Sequence, residues 1–342
     1  MTATVTASRR EALVVMEREV FAAHFDRDRL DRLAALVALP DPIWTDELDS
    51  PRARARLATA EVLITSWGAP KLTAERLAAA PRLKAVFHAA GSIRAVADDN
   101  LWSRDLVVTS AADANAVPVA EYTLAAIIFA GKKAPFLAAD ARTAYQGWTR
   151  PQGFGDLSNF RRTIGVVGFS RIGRRVVDLL QTLEDVTVLV ADPQADPAAV
   201  AAAGAELVEL GQLLPRADVL SLHAPENPST LHMIGAAELA QLPDHATVVN
   251  TARGSLIDSA ALAAECRTGR LFAILDVTDP EPLPADSPLR SVPNVMVTPH
   301  IAGSLGTEIH RLTDHMLAEL TRWVAGEPVH GRITADAFPL TA

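Results

Sequence analysis

Short runs of aliphatic and β-branched residues alternate with amphipathic helical stretches along almost the whole chain. This alternation is typical of parallel α/β folds, because each parallel strand needs a crossover, usually a helix, before the next strand. The sequence therefore predicts strands in both halves of the chain. The predicted strands are Leu13–Met16, Glu61–Trp67, Leu83–Ala89, Leu106–Ala111, Thr163–Phe169, Thr187–Asp192, Glu206–Leu210, Val219–Ala224, Thr247–Ala252, Phe272–Val277 and Val295–His300.

Helical patterns lie between these runs. A long pattern at Val119–Lys133 marks a domain boundary, with Pro118 in its first turn and Pro135 as its stop. A last helix, Leu305–Ala325, is long enough to leave one domain and return to the other. Other predicted helices are Arg171–Leu183, Thr230–Gln241 and Asp258–Thr268. The 342 residues also exceed one typical domain, so we expect two.

Charge and cysteine content limit the function classes. The net charge of −9 disfavours a nucleic-acid partner, which requires a basic surface. Cys266 is the single cysteine, so no intrachain disulfide can form and a reducing cytoplasm is expected. The residues from Met1 to Arg10 lack the apolar core of a signal peptide. The aliphatic run Leu124–Gly131 is too short for a membrane span, so we expect no membrane partner.

A strand followed by a glycine turn and a helix predicts a dinucleotide site at Thr163–Gly173. In the pattern GxGxxG, Gly168 suits the sharp turn and Gly173 allows close packing of helix on strand. Ser170 replaces the middle glycine, and its hydroxyl could bind a phosphate oxygen. The helix N-terminus offers free N–H groups to that anion, and Arg171 could add positive charge.

Asp192 ends the next predicted strand, about 20 residues after Gly173, as in dinucleotide-binding folds. A carboxylate there can accept hydrogen bonds from the ribose hydroxyls and would repel a 2′-phosphate. The sequence therefore predicts NAD rather than NADP as the cofactor.

Three polar residues follow predicted strands in the same half of the chain, namely Arg253, Glu281 and His300. Because the carboxyl ends of parallel strands open into one crevice, we expect these residues to converge. An imidazole can exchange the hydroxyl proton of an alcohol near neutral pH, and an adjacent carboxylate orients the ring. A guanidinium can hold a substrate carboxylate with two hydrogen bonds and polarise a carbonyl.

Four ordered segments resemble the signatures of the D-isomer-specific 2-hydroxyacid dehydrogenase family, including phosphoglycerate dehydrogenases. The resemblance extends from about Lys84 to the final helix. The segments are Ala217–Pro225, Val249–Gly254, Leu275–Pro282 and Thr298–Gly303.

The resemblance implies an α/β fold with two Rossmann-like, doubly wound parallel-sheet domains and a cleft between them. Residues 1–116, completed by 318–342, would form the substrate-binding domain, and 117–317 the dinucleotide-binding domain. In this family Arg, Glu and His carry the roles derived for Arg253, Glu281 and His300. Family members are typically dimers, so we expect a homodimer.

The same resemblance assigns binding roles to further residues. Asp276 would contact the nicotinamide carboxamide, and the loop Ala90, Gly91 and Ser92 would hold the substrate carboxylate together with Arg253. The remaining residues assigned to the cofactor are Gly168, Ser170, Arg171, Ile172, Gly173, Asp192, His223, Pro225 and Thr251.

Some positions and alternatives stay open. Arg94 stands where the family usually has an acidic or amide residue, and it could contact a distal anionic or polar group of the substrate or be a solvated loop residue. Trp67 could form a wall of the substrate pocket or pack in the core. His223 and His232 are assigned by their position to loops or the surface. No histidine or cysteine cluster has zinc-site spacing, so we predict no metal.

Two other functions compete with a dehydrogenase of small 2-hydroxy or 2-keto acids. Corepressors that resemble this family sense NAD(H) without significant turnover, so the fold alone does not establish catalysis. A formate dehydrogenase is the other alternative, but that relative has Gln where this chain has Glu281.

Overall fold

The computed structural model describes residues 9–144 and 153–338, and this part of the chain forms two compact units. The first unit holds the described residues up to Asn115 and those from Ser304 onward. The second unit runs from Ala116 to Gly303. The first boundary thus lies one residue before the expected one. Residues 304–317, expected in the dinucleotide-binding domain, instead belong to the first unit.

Strands occur in all of the predicted runs, and every paired strand is parallel to its neighbours. The strands of the described chain are β1 (Ala12–Val15), β2 (Trp44–Thr45), β3 (Val62–Thr65), β4 (Ala85–His88), β5 (Val107–Ser110), β6 (Thr163–Val167), β7 (Thr187–Ala191), β8 (Glu206–Leu207), β9 (Val219–Leu222), β10 (Thr247–Asn250), β11 (Phe272–Leu275) and β12 (Val295–Val297). The short edge strand β2 was not predicted, because a two-residue strand leaves no periodic pattern.

Each unit contains one sheet. The first sheet has the order β2-β1-β3-β4-β5, and the second has the order β12-β11-β10-β9-β6-β7-β8. Both strand orders are doubly wound. In the second sheet, β7 and β8 are added on one side of β6, and β9 to β12 on the other, so the strand order reverses between β6 and β9. Ligands of such sheets bind beyond the carboxyl ends of the strands at this reversal.

The α-helices lie between the strands. They are α1 (Arg18–His24), α2 (Arg27–Leu36), α3 (Pro51–Thr59), α4 (Ala74–Ala78), α5 (Ala112–Lys132), α6 (Ala134–Ala144), α7 (Arg171–Leu180), α8 (Pro197–Ala202), α9 (Leu210–Leu213), α10 (Ala236–Leu239), α11 (Ser259–Arg267) and α12 (Ile309–Val324). Single 3₁₀ turns are found at Asp99–Ser103, Leu214–Arg216, Gly254–Leu256, Pro288–Arg290 and Gly306–Glu308.

Alternating strand residues fill cores on both faces of each sheet. In the second unit, Leu220 and Leu222 of β9 pack into one cluster and Val219 into the opposite one. In the first unit, Leu13 faces one cluster and Val14 the other. Because both faces are covered, β1 and β9 are buried along their whole length and mostly apolar, as expected for buried parallel sheets.

One of the two proline predictions was wrong. Helix α5 begins at Ala112, so Pro118 lies inside the helix rather than in its first turn. Because Pro118 has no backbone N–H, the helix lacks one hydrogen bond near its start, the one to the carbonyl oxygen of Ala114. The prediction for Pro135 is confirmed, because α5 ends at Lys132, three residues before it. Pro135 is also the second residue of α6, where the first N–H groups of a helix have no partner.

Two helix predictions also need correction. Only α10 is helical within Thr230–Gln241, because the Thr230 hydroxyl donates to Pro225 O (2.6 Å) and accepts from Asn227 N, which favours a turn. The last helix does not run from one unit to the other, because the chain has already returned to the first unit at Ser304. Its Met316 and Leu320 are buried in the core of the first unit with Phe87, so α12 belongs to that unit.

Helix α5 is the one described helix that could cross a membrane by length and composition alone. However, 56% of its most apolar window is buried inside the protein. Ala120, Ile127 and Ala130 pack into the core of the second unit, as the residues of a core helix do. Its apolar character is therefore explained by packing against the sheet.

Candidate active site

The glycine turn after β6 has the backbone that the sequence predicts. Gly168 has φ +95°, in the left-handed region, and a Cβ there would lie 2.7 Å from the amide nitrogen of Ala224. A Cβ on Gly173 would collide with the carbonyl oxygen of Gly168. Ser170 is exposed and is the N-cap of α7, but its side chain makes no capping hydrogen bond. The turn and the helix start are thus arranged as in a phosphate site.

Asp192 follows β7, and its carboxylate is held against this turn. Oδ2 accepts the N–H of Phe169 (2.7 Å) and Oδ1 accepts the N–H of Gln194 (2.8 Å). A carboxylate has about four acceptor positions, so both oxygens retain capacity for ribose hydroxyls. The sequence predicted the location of Asp192 but not its bond to the glycine turn.

His223 lies in the loop after β9, as one of the two predicted alternatives has it, but it is buried rather than on the surface, with only 5% of the residue exposed. Burial lowers its pKa to about 3, so the ring is neutral at neutral pH. Nε2 lies 2.8 Å from the Ser221 hydroxyl, whereas Nδ1 is buried without a partner among the described residues. An orphaned nitrogen beside the Gly168 turn fits a polar ligand, and Pro225 follows on the same loop.

Thr251 and Arg253 follow β10. The Thr251 hydroxyl bonds that of Thr123 on α5 (2.8 Å). The Asn250 side chain closes the next turn, accepting from Ala252 N (3.0 Å) and donating to Arg253 O (2.8 Å). The Arg253 side chain is 31% exposed, and its Nη1 donates to the neighbouring Ala252 O (2.6 Å).

Asp276 is 1% exposed at the end of β11 and organises the loop after β12. Oδ1 accepts the Thr298 hydroxyl (2.6 Å) and the Ile301 N–H (2.8 Å), and Oδ2 accepts the Ala302 N–H (2.8 Å). Because the Thr298 hydroxyl donates to Asp276, the Tyr122 hydroxyl, 2.8 Å away, is its donor. Asp276 thus supports the loop that carries His300.

His300 and Glu281 form a pair. Nδ1 of His300 lies 2.8 Å from Oε1 of Glu281, and both side chains are about half exposed, at 50% and 43%. The His300 backbone has φ +55°, and its N–H donates to Asp276 O (2.9 Å). With Nδ1 committed to the carboxylate, Nε2 is the ring nitrogen that can exchange a proton with a substrate.

A cavity of about 520 Å³ lies next to this pair within the second unit, a size in the range of small-molecule sites. Its lining combines the polar groups of the pair's loops with apolar side chains. The lining includes Asp276, Thr278, Glu281, Leu289, Val297 and Thr298.

The three predicted catalytic residues follow three neighbouring strands. Arg253 comes after β10, Glu281 after β11 and His300 after β12, so they share the carboxyl edge of one sheet. The structure joins His300 to Glu281 directly. Among the described residues, no group of three or more His, Cys, Asp or Glu side chains could hold a metal.

The predicted carboxylate loop, Ala90–Ser92, follows β4 in the first unit. Ala90 O accepts the N–H of Ala111 (3.0 Å), which fixes the start of the loop. A Cβ at Gly91 would lie 2.9 Å from the side-chain nitrogen of Asn115, so the loop packs closely on that amide. The Asn115 carbonyl oxygen in turn accepts the N–H of Ser304 (3.0 Å).

Sequence reasoning missed several supporting residues. Glu226 is the clearest, because its Oε2 lies 3.9 Å from Nε of Arg253 while its Oε1 accepts the Ser255 hydroxyl (2.7 Å). Tyr122 was missed because it acts through Thr298 from a distant helix. In the sequence, Glu226 is only an acid in a loop, and nothing in its neighbourhood indicates a partner 27 residues later.

Comparison with known proteins gives a consistent result. Residues 125–302 match the family model of the D-isomer specific 2-hydroxyacid dehydrogenase, NAD binding domain. A D-3-phosphoglycerate dehydrogenase of Mycobacterium tuberculosis is 36% identical over 87% of this chain and 56% of its own length. An (S)-sulfolactate dehydrogenase of Chromohalobacter salexigens is 36% identical over 67% of this chain and 74% of its own.

A solved structure, the TT0316 protein from Thermus thermophilus, has a TM-score of 0.75 and 28% identity, covering 95% of this chain and all of that one. The chain spans little more than half the length of the first phosphoglycerate dehydrogenases that it matches. The similarity thus covers both units of this chain, while those relatives contain further sequence.

Proposed function

This chain belongs to the D-isomer specific 2-hydroxyacid dehydrogenase family, and from that premise we propose that it transfers a hydride between NAD and a small D-2-hydroxy acid or its 2-keto acid. The observation that carries the proposal is the 2.8 Å contact between His300 Nδ1 and Glu281 Oε1 at the carboxyl edge of the NAD-binding sheet. A paired imidazole and carboxylate suit the proton transfer that must accompany hydride transfer.

Each residue has a separate task in this proposal. His300 gives its Nε2 proton to the carbonyl oxygen in the reduction direction and takes it back in oxidation. Glu281 orients the ring and stabilises the imidazolium. Arg253 binds the substrate carboxylate, since a guanidinium offers two parallel donors. Asp276 supports the loop that presents His300 through three accepted hydrogen bonds.

The NAD-binding unit has groups that fit the cofactor. The backbone at Gly168, Ser170, Arg171, Ile172 and Gly173 would hold the pyrophosphate at the start of α7, and Asp192 would hold the adenosine ribose. His223, Pro225 and Thr251 would contact the part of the cofactor that extends from the pyrophosphate toward Asp276. When bound, NAD supplies or accepts the hydride. The buried, unpartnered Nδ1 of His223 is the structural feature that supports such a ligand.

The first unit would bind the substrate, with backbone N–H groups of Ala90, Gly91 and Ser92 directed at the carboxylate. The family resemblance supports this role, and the close packing of Gly91 on Asn115 is consistent with a loop of fixed shape. We also expect a homodimer in the cytoplasm, as the resemblance and the cysteine content imply. Size-exclusion chromatography with light scattering tests the dimer.

A corepressor-like NAD(H) sensor without turnover is the less favoured function. A sensor needs the dinucleotide site, but it does not need a proton donor paired with a carboxylate. Glyoxylate, hydroxypyruvate and 2-ketobutyrate should be tested with NADH and with NADPH. We expect reduction of at least one keto acid with NADH. Tight NADH binding with no oxidation by any of them would favour the sensor.

A further inference from the structure

Trp67 is an exposed aromatic residue beside the predicted carboxylate loop. It lies two residues after β3, and 39% of its surface is exposed, although the residues of β3 are fully buried. Its carbonyl accepts the N–H of Glu17 (3.2 Å), and Ala69 N bonds Ser66 O (3.2 Å). The indole therefore stands on a fixed turn and presents one face outside the core, which rules out a purely core-packing role.

The other side of the indole is supported by a buried histidine. The ring centroids of Trp67 and His24 are 6.0 Å apart. Nδ1 of His24 lies 2.8 Å from the Thr313 hydroxyl, and Nε2 lies 2.8 Å from the Ser66 hydroxyl. Both ring nitrogens are thus hydrogen-bonded, and the ring that supports Trp67 is held in position.

Strand pairing places Trp67 next to the carboxylate loop. Thr65 of β3 pairs with His88 of β4, and Ala89 N donates to Thr65 O at 2.7 Å. Two residues beyond this pair, β3 leads to Trp67 and β4 leads to Ala90. A substrate whose carboxylate binds at Ala90–Ser92 would have its side chain within reach of the indole face.

The histidines beside this surface are uncharged, whereas the Glu17 carboxylate packs against Gly68, next to Trp67, and would repel a phosphate or sulfonate. Burial lowers the pKa of His24 to about 4, with smaller contributions from His88 and His310, and burial lowers the pKa of His88 to about 4. Both rings are neutral at pH 7. The guanidinium of Arg94 packs over the ring of Phe338, 5.6 Å from its centroid. A phosphate or sulfonate bound here would lose its hydration against an aromatic surface.

We propose that Trp67 is a specificity-determining residue, and that the preferred substrates are 2-keto monocarboxylates with an apolar branched or aromatic side chain rather than phosphorylated or sulfonated ones. This inference rests on the proposed function and names the substrate class of that site. An indole face packs well against branched and aromatic groups, and contacts of this kind govern discrimination between substrates of different side chain.

The test measures kcat/KM with NADH for 4-methyl-2-oxovalerate, phenylpyruvate, 3-phosphohydroxypyruvate, sulfopyruvate and glyoxylate. Glyoxylate has no side chain and serves as the internal reference. For the wild-type protein we expect kcat/KM for 4-methyl-2-oxovalerate to exceed kcat/KM for 3-phosphohydroxypyruvate and for sulfopyruvate by about ten-fold or more. For Trp67→Ala we expect the ratio of kcat/KM for 4-methyl-2-oxovalerate to kcat/KM for glyoxylate to fall by about ten-fold or more. The fall should come chiefly from a higher KM for 4-methyl-2-oxovalerate.

Two variants serve as controls. Trp67→Phe retains an aromatic face, so its ratio of kcat/KM for 4-methyl-2-oxovalerate to kcat/KM for glyoxylate should stay close to that of the wild-type protein. Trp44→Phe changes a tryptophan that packs on Phe21 elsewhere in the first unit, and it should leave the ratio unchanged. If Trp67→Ala proves unstable, Trp67→Leu can replace it, because leucine removes the aromatic face but keeps an apolar side chain. In that variant kcat/KM should fall more for phenylpyruvate than for 4-methyl-2-oxovalerate.

The outcomes separate the two proposals. A preference for 3-phosphohydroxypyruvate or sulfopyruvate, or an unchanged ratio in folded Trp67→Ala, would overturn the inference and leave the dehydrogenase function standing. Absence of NADH oxidation with every keto acid would overturn the proposed function and this inference with it.

Discussion

The imidazole Nδ1 of His300 lies 2.8 Å from Oε1 of Glu281, and the same histidine has a left-handed backbone at φ +55°. A non-glycine residue in this conformation costs of order 1 kcal/mol and persists where its surroundings fix it. Asp276 provides this support, because its carbonyl accepts the His300 N–H and its carboxylate holds the next two residues. The position of the ring is therefore built into the loop.

Replacing the carboxylate of the pair should slow catalysis. In Glu281→Gln the ring loses the charge that stabilises the imidazolium, so we expect kcat for keto-acid reduction to fall by about 10²-fold with KM little changed. Steady-state kinetics at saturating NADH measures this. Asp286→Asn removes an exposed acid from the same loop and should leave kcat unchanged. A Glu281→Gln enzyme with wild-type kcat would contradict the role of the pair.

Arg253 should determine substrate binding. We expect Arg253→Met to raise KM for the keto acid by about 10- to 100-fold, since a charge-assisted bidentate contact is lost. The Asn250 bonds to Ala252 and Arg253 involve backbone groups, so the turn should survive the substitution. Circular dichroism and NADH titration check that the fold and the cofactor site remain intact. An unchanged KM would show that the guanidinium does not bind the carboxylate.

Asp192 should determine the choice of cofactor. Because its carboxylate would repel a 2′-phosphate, we expect Asp192→Ala to lower the ratio of kcat/KM for NADH to that for NADPH by about ten-fold or more. The exposed Asp178 on α7 gives a matched control, Asp178→Asn, with an unchanged ratio. Equal use of both cofactors by the wild-type protein would refute the assignment of Asp192.

Lys133 gives a prediction about stability. It is 4% exposed, its Nζ donates to His245 O (2.7 Å), and burial followed by Arg162 lowers its pKa to about 7. Between pH 7 and its unfolded pKa near 10.4, the unfolded chain binds the extra proton, so stability rises with pH. From pH 7 to pH 9 the gain should be about 2 kcal/mol.

Urea denaturation at the two pH values measures this gain by comparing the wild-type protein with Lys133→Met. Between pH 7 and pH 9, the free energy of unfolding of the wild-type protein should increase relative to that of Lys133→Met. The exposed neighbour Lys132 provides the control Lys132→Met, which should show no such shift. A difference that does not change with pH would mean that Lys133 stays charged in the fold.

The sequence predicted the strands well because many buried parallel strands are continuous apolar runs, as Ala12–Val15 shows. It failed where side chains compete with the helical backbone, as Thr230 does, and where tertiary packing decides, as for the helix that carries Met316. Pro118 was misplaced because a proline is compatible with either a helix start or an early interior position.

The candidate site was predicted from residue types that follow strands, and Arg253, Glu281 and His300 do follow the neighbouring strands β10, β11 and β12. The contact between Glu281 and His300 could be expected because the proposed roles require it, and the structure contains it. The bond from Asp192 to the glycine turn and the approach of Glu226 to Arg253 could not be predicted. Both depend on how loops distant in sequence pack together.

Single-turnover oxidation of NADH by a keto acid in His300→Asn tests whether His300 exchanges the substrate proton. We expect the hydride-transfer rate to fall by about 10²- to 10⁴-fold while the Kd for NADH changes less than about two-fold. A His300→Asn protein that oxidises NADH with a keto acid at the wild-type rate would contradict this role.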